Sequence, residues 1–247
     1  MELVTQIVIS GILSVALSAI AYKLRMLTFT GALASLLVGY IVGVFGSIEW
    51  LILLVAFTFV GLVVTKMDFN DKSGNGLQEG NHGERTHKNV IGVGIPACIF
   101  AVLYGITHAQ LNGQYDLALT VAFITTLTVA AADTVASEIG IRDKKVWLIS
   151  TFERVKRGTN GGVSVLGTSA SVVASAFTGI VGWLLIFGGI EIYVLIPIIM
   201  GVVGNLIDSI LGATLENKGH ISKYTNNSVS SFLSALIGMV TVIYILD

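Results

Sequence analysis

Four acidic residues stand inside or beside apolar stretches: Asp133 and Glu138 in AADTVASEIG (131–140), and Asp208 and Glu216 in GNLIDSILGATLE (204–216). A carboxylate at membrane depth is costly, and it marks a functional site by default. Each Asp is followed by a hydroxyl residue, Thr134 or Ser209. On a helix, Asp133 and Ser137 share a face, whereas Glu138 points partly away. Asn205, Asp208, Ser209, Gly212 and Glu216 form one polar or small stripe. Asp133 lies about 13 Å before Arg142 and Asp208 about 15 Å before Lys218 at helical rise, so the two acids sit at matched depth. Such a pair suits Mg²⁺, a hard cation often held by one or two carboxylates plus substrate phosphates. The plainer alternative is that each Asp only bonds a hydroxyl on a neighbouring helix.

A second stretch, VKRGTNGGVS (155–164), places Lys156 and Arg157 before a Gly-rich turn and a long run of small and apolar residues. Thr159 or Asn160 reads as a helix N-cap, with Gly161 and Gly162 leaving the backbone open to close approach. The free N–H groups of a helix N-terminus favour anions, phosphates above all. Together the two features read as a Mg-nucleotide site at the membrane surface. Asp-Thr/Ser, a basic loop and Thr-Asn-x-x-Val-Ser occur twice, ending in TNGGVS (159–164) and TNNSVS (225–230). That pattern suggests an internal repeat of helix pairs. His82 and His87 read as solvated loop residues, and His108 and His220 as interfacial ones.

These residues need a membrane scaffold. The chain has 247 residues, of which 54% are hydrophobic and 12% charged, with a mean hydropathy of +0.85. A soluble domain carries about 25% charged residues, so the expectation is an all-α membrane protein forming one transmembrane domain over 1–247. The net charge of −1 points to no nucleic-acid partner, and the single cysteine, Cys98, excludes an internal disulfide framework. The first apolar stretch lacks a basic lead and reads as a retained helix. Stretches long enough to cross a bilayer fall at about 4–22, 28–46, 48–65, 90–110, 116–139, 162–187, 191–214 and 228–246, eight in all. Lys and Arg occur only after the first, third, fifth and seventh, while the other connections carry Glu49, Asp116 and Glu191 and no basic residue. By the positive-inside rule, both termini are expected outside, with 66–89 and 140–160 as cytoplasmic loops. Small residues such as Gly39 and Gly43 in GYIVG read as helix-packing contacts.

LTFTGALAS (27–35), AADTVASEIG, RGTNGGVSVLGTSAS (157–171), GNLIDSILGATLE and TNNSVSSFLSALIG (225–238) together resemble the integral-membrane phytyl-phosphate kinase family. More distantly, ADTVAS…KRGTNGG is similar to the motifs of dolichol kinases and CDP-diacylglycerol synthases. Val135 and Glu216 stand where family members commonly have Trp and Gln. The resemblance implies an enzyme that moves a phosphoryl group from a nucleoside triphosphate, with CTP as donor, onto an isoprenoid lipid monophosphate. By motif match it implies Asp133, Glu138, Lys156, Arg157, Thr159, Asn160, Gly161, Gly162 and Asp208 as the candidate site; within it the expectation is that Asp133, Asp208 and Lys156 are catalytic and that Asp133, Glu138 and Asp208 hold Mg²⁺. Arg157, Thr159, Asn160, Gly161, Gly162, Ser164 and Asn205 would hold phosphates, with a groove between spans for the prenyl tail. Two rival expectations share these residues: a CTP-dependent cytidylyltransferase making a CDP-lipid, and an ion-coupled transporter.

Overall fold

The computed structural model describes residues 3–67, 69, 74 and 83–246. Among them are eight α-helices: α1 (Leu3–Lys23), α2 (Phe29–Phe45), α3 (Ile48–Lys66), α4 (His87–Gln110), α5 (Asp116–Gly140), α6 (Val165–Phe187), α7 (Leu195–Leu211) and α8 (Lys223–Leu246). In a hydrocarbon medium the backbone must satisfy itself, and an apolar segment of this length can do so only as a helix. Polar side chains fix where the helices begin. Thr28, Ser47 and Ser164 each accept the N–H three residues on, from Gly31, Trp50 and Gly167, and Thr86 forms a capping box with Asn89.

The eight expected helices are present, and seven are long and apolar enough to cross a membrane. The second, α2, has 17 residues and falls short of the roughly 20 that a perpendicular crossing requires. The 66–89 segment expected as a loop lies largely outside the described residues, His82 included. His87, Lys88 and Asn89 belong to α4 instead, because Thr86 caps that helix earlier than the apolar run alone suggests.

The axis of the bundle is α5. Its most apolar stretch is 89% buried, and no other span exceeds 39%. Helices α3, α4, α6, α7 and α8 pack around it. Its threonines turn inward and are satisfied locally: Thr125 Oγ1 donates to the Val121 carbonyl at 2.7 Å and Thr128 Oγ1 to the Pro197 carbonyl of α7 at 2.9 Å. Glycines let the helices approach. A Cβ on Gly140 would lie 3.1 Å from the Gly167 Cα, where α5 meets α6. The outer surface is apolar, with Leu33, Leu37, Ile99, Val173, Phe177 and Ile199 exposed as a lipid-facing shell.

The 140–160 connection is ordered. A three-stranded antiparallel sheet, β2-β1-β3, joins β1 (Val146–Leu148) to β2 (Arg154–Val155) and β3 (Gly162–Val163), with Trp147 opposite both Arg154 and Val163. This overturns the expected N-cap at Thr159 or Asn160. Gly158 and Gly161 hold φ of +79° and +74°, Gly162 pairs with Leu148, and helix α6 starts only after Ser164. The matching string TNNSVS lies inside α8. The order helix, basic connection, helix therefore recurs as expected, but the two Thr-Asn strings fold differently.

Replacing Gly140 with Val should overpack the α5–α6 crossing and destabilise the bundle by about 1–3 kcal/mol. Thermal unfolding in detergent would read this as a lowered midpoint, whereas an unchanged midpoint would mean that the crossing has slack.

Candidate functional site

One end of the bundle encloses a polar cavity of about 340 Å³. Helix α5 contributes Asp133, Ser137, Glu138 and Gly140, and the start of α6 contributes Ser164, Gly167 and Thr168. Helix α7 contributes Asn205, Asp208, Ser209 and Gly212; Lys223, Asn226 and Asn227 come from α8. The loop 158–162 closes one wall.

Asp208 sits among charged neighbours Asp133, Glu216 and Lys223. Its Oδ1 accepts from Ser230 Oγ at 3.0 Å. Its main-chain carbonyl accepts from Asn226 Nδ2 at 3.0 Å. Beyond it α7 widens into a π-turn, Gly212–Glu216; such single-turn insertions recur at functional sites. The turn carries Glu216 toward the cavity, where Oε1 accepts from Asn160 Nδ2 at 2.9 Å and Oε2 from Asn226 Nδ2 at 3.2 Å. Asn217 Nδ2 donates to the Asn160 carbonyl at 3.0 Å. The 158–162 loop is thus clamped to the end of α7. Gly161 is required there, because a Cβ would lie 2.5 Å from the Ala213 nitrogen and 2.6 Å from the Ser209 carbonyl. The other flank is fixed by Asp143, which accepts from the Lys145 and Leu166 N–H groups at 3.0 and 3.4 Å. The Lys145 N–H, the larger effect, helps hold the Asp143 carboxyl below the usual carboxylate range.

Of the residues singled out from sequence, Asp133, Glu138, Thr159, Asn160, Gly161, Gly162, Ser164, Asn205 and Asp208 line this one cavity. Lys156 and Arg157 do not. The turn after β2 leaves both side chains exposed, and Arg157 Nη1 donates at 3.4 Å to the carbonyl of Ile141, a residue of the cavity rim. Among the described residues, the basic side chain in the lining is Lys223, which sequence reasoning left unassigned. Asn226 was missed as well, although its place in TNNSVS, matching Asn160 in TNGGVS, was a usable signal.

All three carboxylates expected to hold Mg²⁺, Asp133, Glu138 and Asp208, line the cavity. Among the described residues no group of three or more His, Cys, Asp or Glu side chains is placed to hold a metal ion. Glu138 lies five residues beyond Asp133, about 140° around the helix, although it is buried and lines the same cavity. What remains fits a divalent cation that takes part of its coordination from substrate: two carboxylates lining one cavity, Asp133 and Asp208. Beside them Asn226 Oδ1 is buried with no hydrogen-bond partner, and Asn226 is only 1% exposed.

The family model for Integral membrane protein DUF92 matches residues 12–239, and the chain belongs to that family. An uncharacterized membrane protein of Methanocaldococcus jannaschii is 32% identical over 97% of this chain and 95% of its own. An uncharacterized membrane protein of Synechocystis is 31% identical over 91% of this chain and 85% of its own. Protein VTE6, chloroplastic, of Arabidopsis thaliana is 32% identical over 88% of this chain and 64% of its own. These matches bear out the family resemblance read from the motifs. No solved structure matches the chain.

Substituting Ala for Gly161 should release the loop from α7, since a left-handed φ on a non-Gly residue costs about 1–3 kcal/mol even before the clash. Limited trypsin digestion would report it as faster cleavage after Lys156 and Arg157. Unchanged cleavage would mean that the loop docks by other contacts.

Proposed function

We propose that this member of the DUF92 integral membrane family is a membrane-embedded kinase. It transfers a phosphoryl group from a nucleoside triphosphate, CTP as donor, to a prenyl or phytyl monophosphate. One observation carries the reading: Asp133 and Asp208, from two helices, share a single polar cavity with the Gly-rich 158–162 loop and Lys223. The concentration of Lys and Arg at this end of the bundle supports placing the site on the cytoplasmic side.

Phosphoryl transfer depends mainly on positioning and on charge stabilisation. A lipid monophosphate has its second pKa near 6, by analogy with phosphorylated hydroxyls, so its attacking oxygen is already largely anionic at neutral pH. A strong base is not needed. The obstacle is repulsion between two polyanions. Mg²⁺, held by Asp133 and Asp208, would supply the divalent positive charge that offsets it. Lys223, from the start of α8, adds a cation to the lining. The 158–162 loop and the capped start of α6 line the same volume. Ser230 and Asn226 keep Asp208 fixed, and Glu216 keeps the loop fixed, so the polar wall is set before substrate arrives. Glu138 lies in the wall beside Asp133 as a supporting carboxylate. Lys156 and Arg157 stand at the outer rim, where they attract the incoming polyanion.

Purified full-length protein incubated with Mg²⁺, nucleoside triphosphates and prenyl monophosphates should yield the lipid diphosphate and a nucleoside diphosphate. Release of pyrophosphate with a CDP-lipid would instead identify a cytidylyltransferase and overturn the kinase reading. Asp133→Asn and Asp208→Asn should each lower kcat/KM by roughly 10³, the scale of lost charge stabilisation at a transferring phosphoryl group. Lys223→Ala should cost more activity than Lys156→Ala. The reverse order would return the phosphate-binding role to the basic loop.

A further inference from the structure

A second cavity, of about 300 Å³, lies between α1, α2 and α3. Its walls are mostly apolar, with Leu17, Leu54 and Phe59 across from the small residues Ser35 and Gly39. We infer that this cavity houses the hydrocarbon tail of the lipid acceptor, with the acceptor's phosphate held at its mouth by Arg85. The inference rests on the kinase reading for the identity of the lipid.

Three observations lead there. The first is where the mouth lies. The cavity runs along α1 to Leu24, Met26 and Leu27, beyond the helix end. There Leu27 forms a β-bridge with Arg85, and the Arg85 N–H donates to the Met26 carbonyl at 3.0 Å. The second is charge. Arg85 Nη2 donates to Thr65 Oγ1 at 2.8 Å, which holds the guanidinium at the end of α3. Exposed Lys23 and Arg25 flank Leu24 in the chain. An apolar cavity with a cationic mouth at the membrane surface complements an anionic head on a hydrocarbon chain.

The third observation is proximity to the catalytic cavity. Helix α3 is shared: Leu54, Thr58 and Phe59 face the apolar cavity, and one turn further on Gly61 packs against Thr134 of α5, a Cβ there lying 3.7 Å from Thr134 Cγ2. Thr134 adjoins Asp133. Thr65, the partner of Arg85, is four residues further along α3, about 6 Å. The cationic mouth is therefore only a few side chains from the carboxylate pair. A lipid phosphate at Arg85 has its chain already in an apolar channel, and α3 links its head, through Thr65 and Gly61, to the stretch of α5 that carries Asp133. The polar cavity, by contrast, is lined largely by Asp, Asn, Ser and Gly, and offers a hydrocarbon chain little apolar surface.

The test uses full-length protein in detergent and a prenyl monophosphate carrying a diazirine on its tail. Irradiation should attach the label to peptides of α1, α2 and α3, and unlabelled prenyl monophosphate should suppress it. Filling the cavity with Ser35→Phe should weaken labelling and raise KM for the lipid acceptor about tenfold while KM for the nucleotide moves less than about twofold, the signature of lost uniform binding. Arg85→Gln should raise the acceptor KM, and Arg85→Lys should restore part of it. Labelling confined to other helices, or suppression by a diacyl phospholipid but not by prenyl monophosphate, would overturn the inference. Labelling of α1–α3 in a protein that phosphorylates no lipid would sustain the tail site while removing the kinase assignment; phosphorylation with labelling elsewhere would do the opposite.

Discussion

A carboxylate carried on a membrane-spanning helix persists where protein groups or a polar cavity, and not lipid, surround it. Much of the architecture at one end of this bundle follows from that constraint. Asp208 has a hydroxyl from Ser230 on its oxygen, an amide from Asn226 on its main-chain carbonyl and the positive charge of Lys223 nearby. All three come from α8. That helix must lie against α7 closely enough for short side chains to reach, and Gly204 facing Ser234 and Val129 allows it. Small residues in the spans are therefore more than filler. They set the distance at which Ser and Asn can serve a buried acid.

The same logic explains why the basic connection after α5 is folded. A free loop would leave the Gly-rich turn without a fixed position relative to Asp208. Pairing of β1 with β3 anchors one side of the turn, and the π-turn of α7 anchors the other through Glu216 and Asn217. The extra residue that a π-turn inserts shifts the register of everything after it. Here it brings Glu216 round to meet Asn160. Glu216 accepts from two amides at once, a role a neutral Gln could fill only with one oxygen. In this chain the loop and helix α8 are thus joined through a single carboxylate.

The two cavities differ in chemistry as the two halves of a lipid phosphate do. One is polar and built from α5 to α8; the other is apolar and built from α1 to α3. Helix α3 forms part of the boundary between the two groups of helices, packing on α2 by one face and on α5 and α6 by another. The LTFTGALAS stretch belongs to this junction. Thr28 caps α2, and a Cβ on Gly31 would meet the Arg85 carbonyl at 2.6 Å, so the small residue there is what lets the segment entering α4 lie against α2.

Several features were legible in the residues themselves. Helical spans follow from apolar length, because lipid leaves the backbone no other solution. The matched depth of Asp133 and Asp208 follows from counting residues to the nearest basic one. Gly161 announces a tight approach, whatever it approaches. Other features depend on neighbours distant in sequence. Thr-Asn-x-x-Val-Ser is a strand-ending turn at 159–164 and a helix at 225–230, because β1 offers a partner to the first and nothing competes with helix at the second. Lys156 and Arg157 stand nearest the Gly-rich turn in sequence, yet the turn after β2 leaves them outside the cavity, and Lys223, far along the chain, lines it. The sequence by itself determined which segments form apolar helices and which acids they carry, since local composition and helical rise suffice for both. Only the tertiary structure decided which cation and which amides meet those acids, since that depends on how α8 and the π-turn of α7 are packed in space.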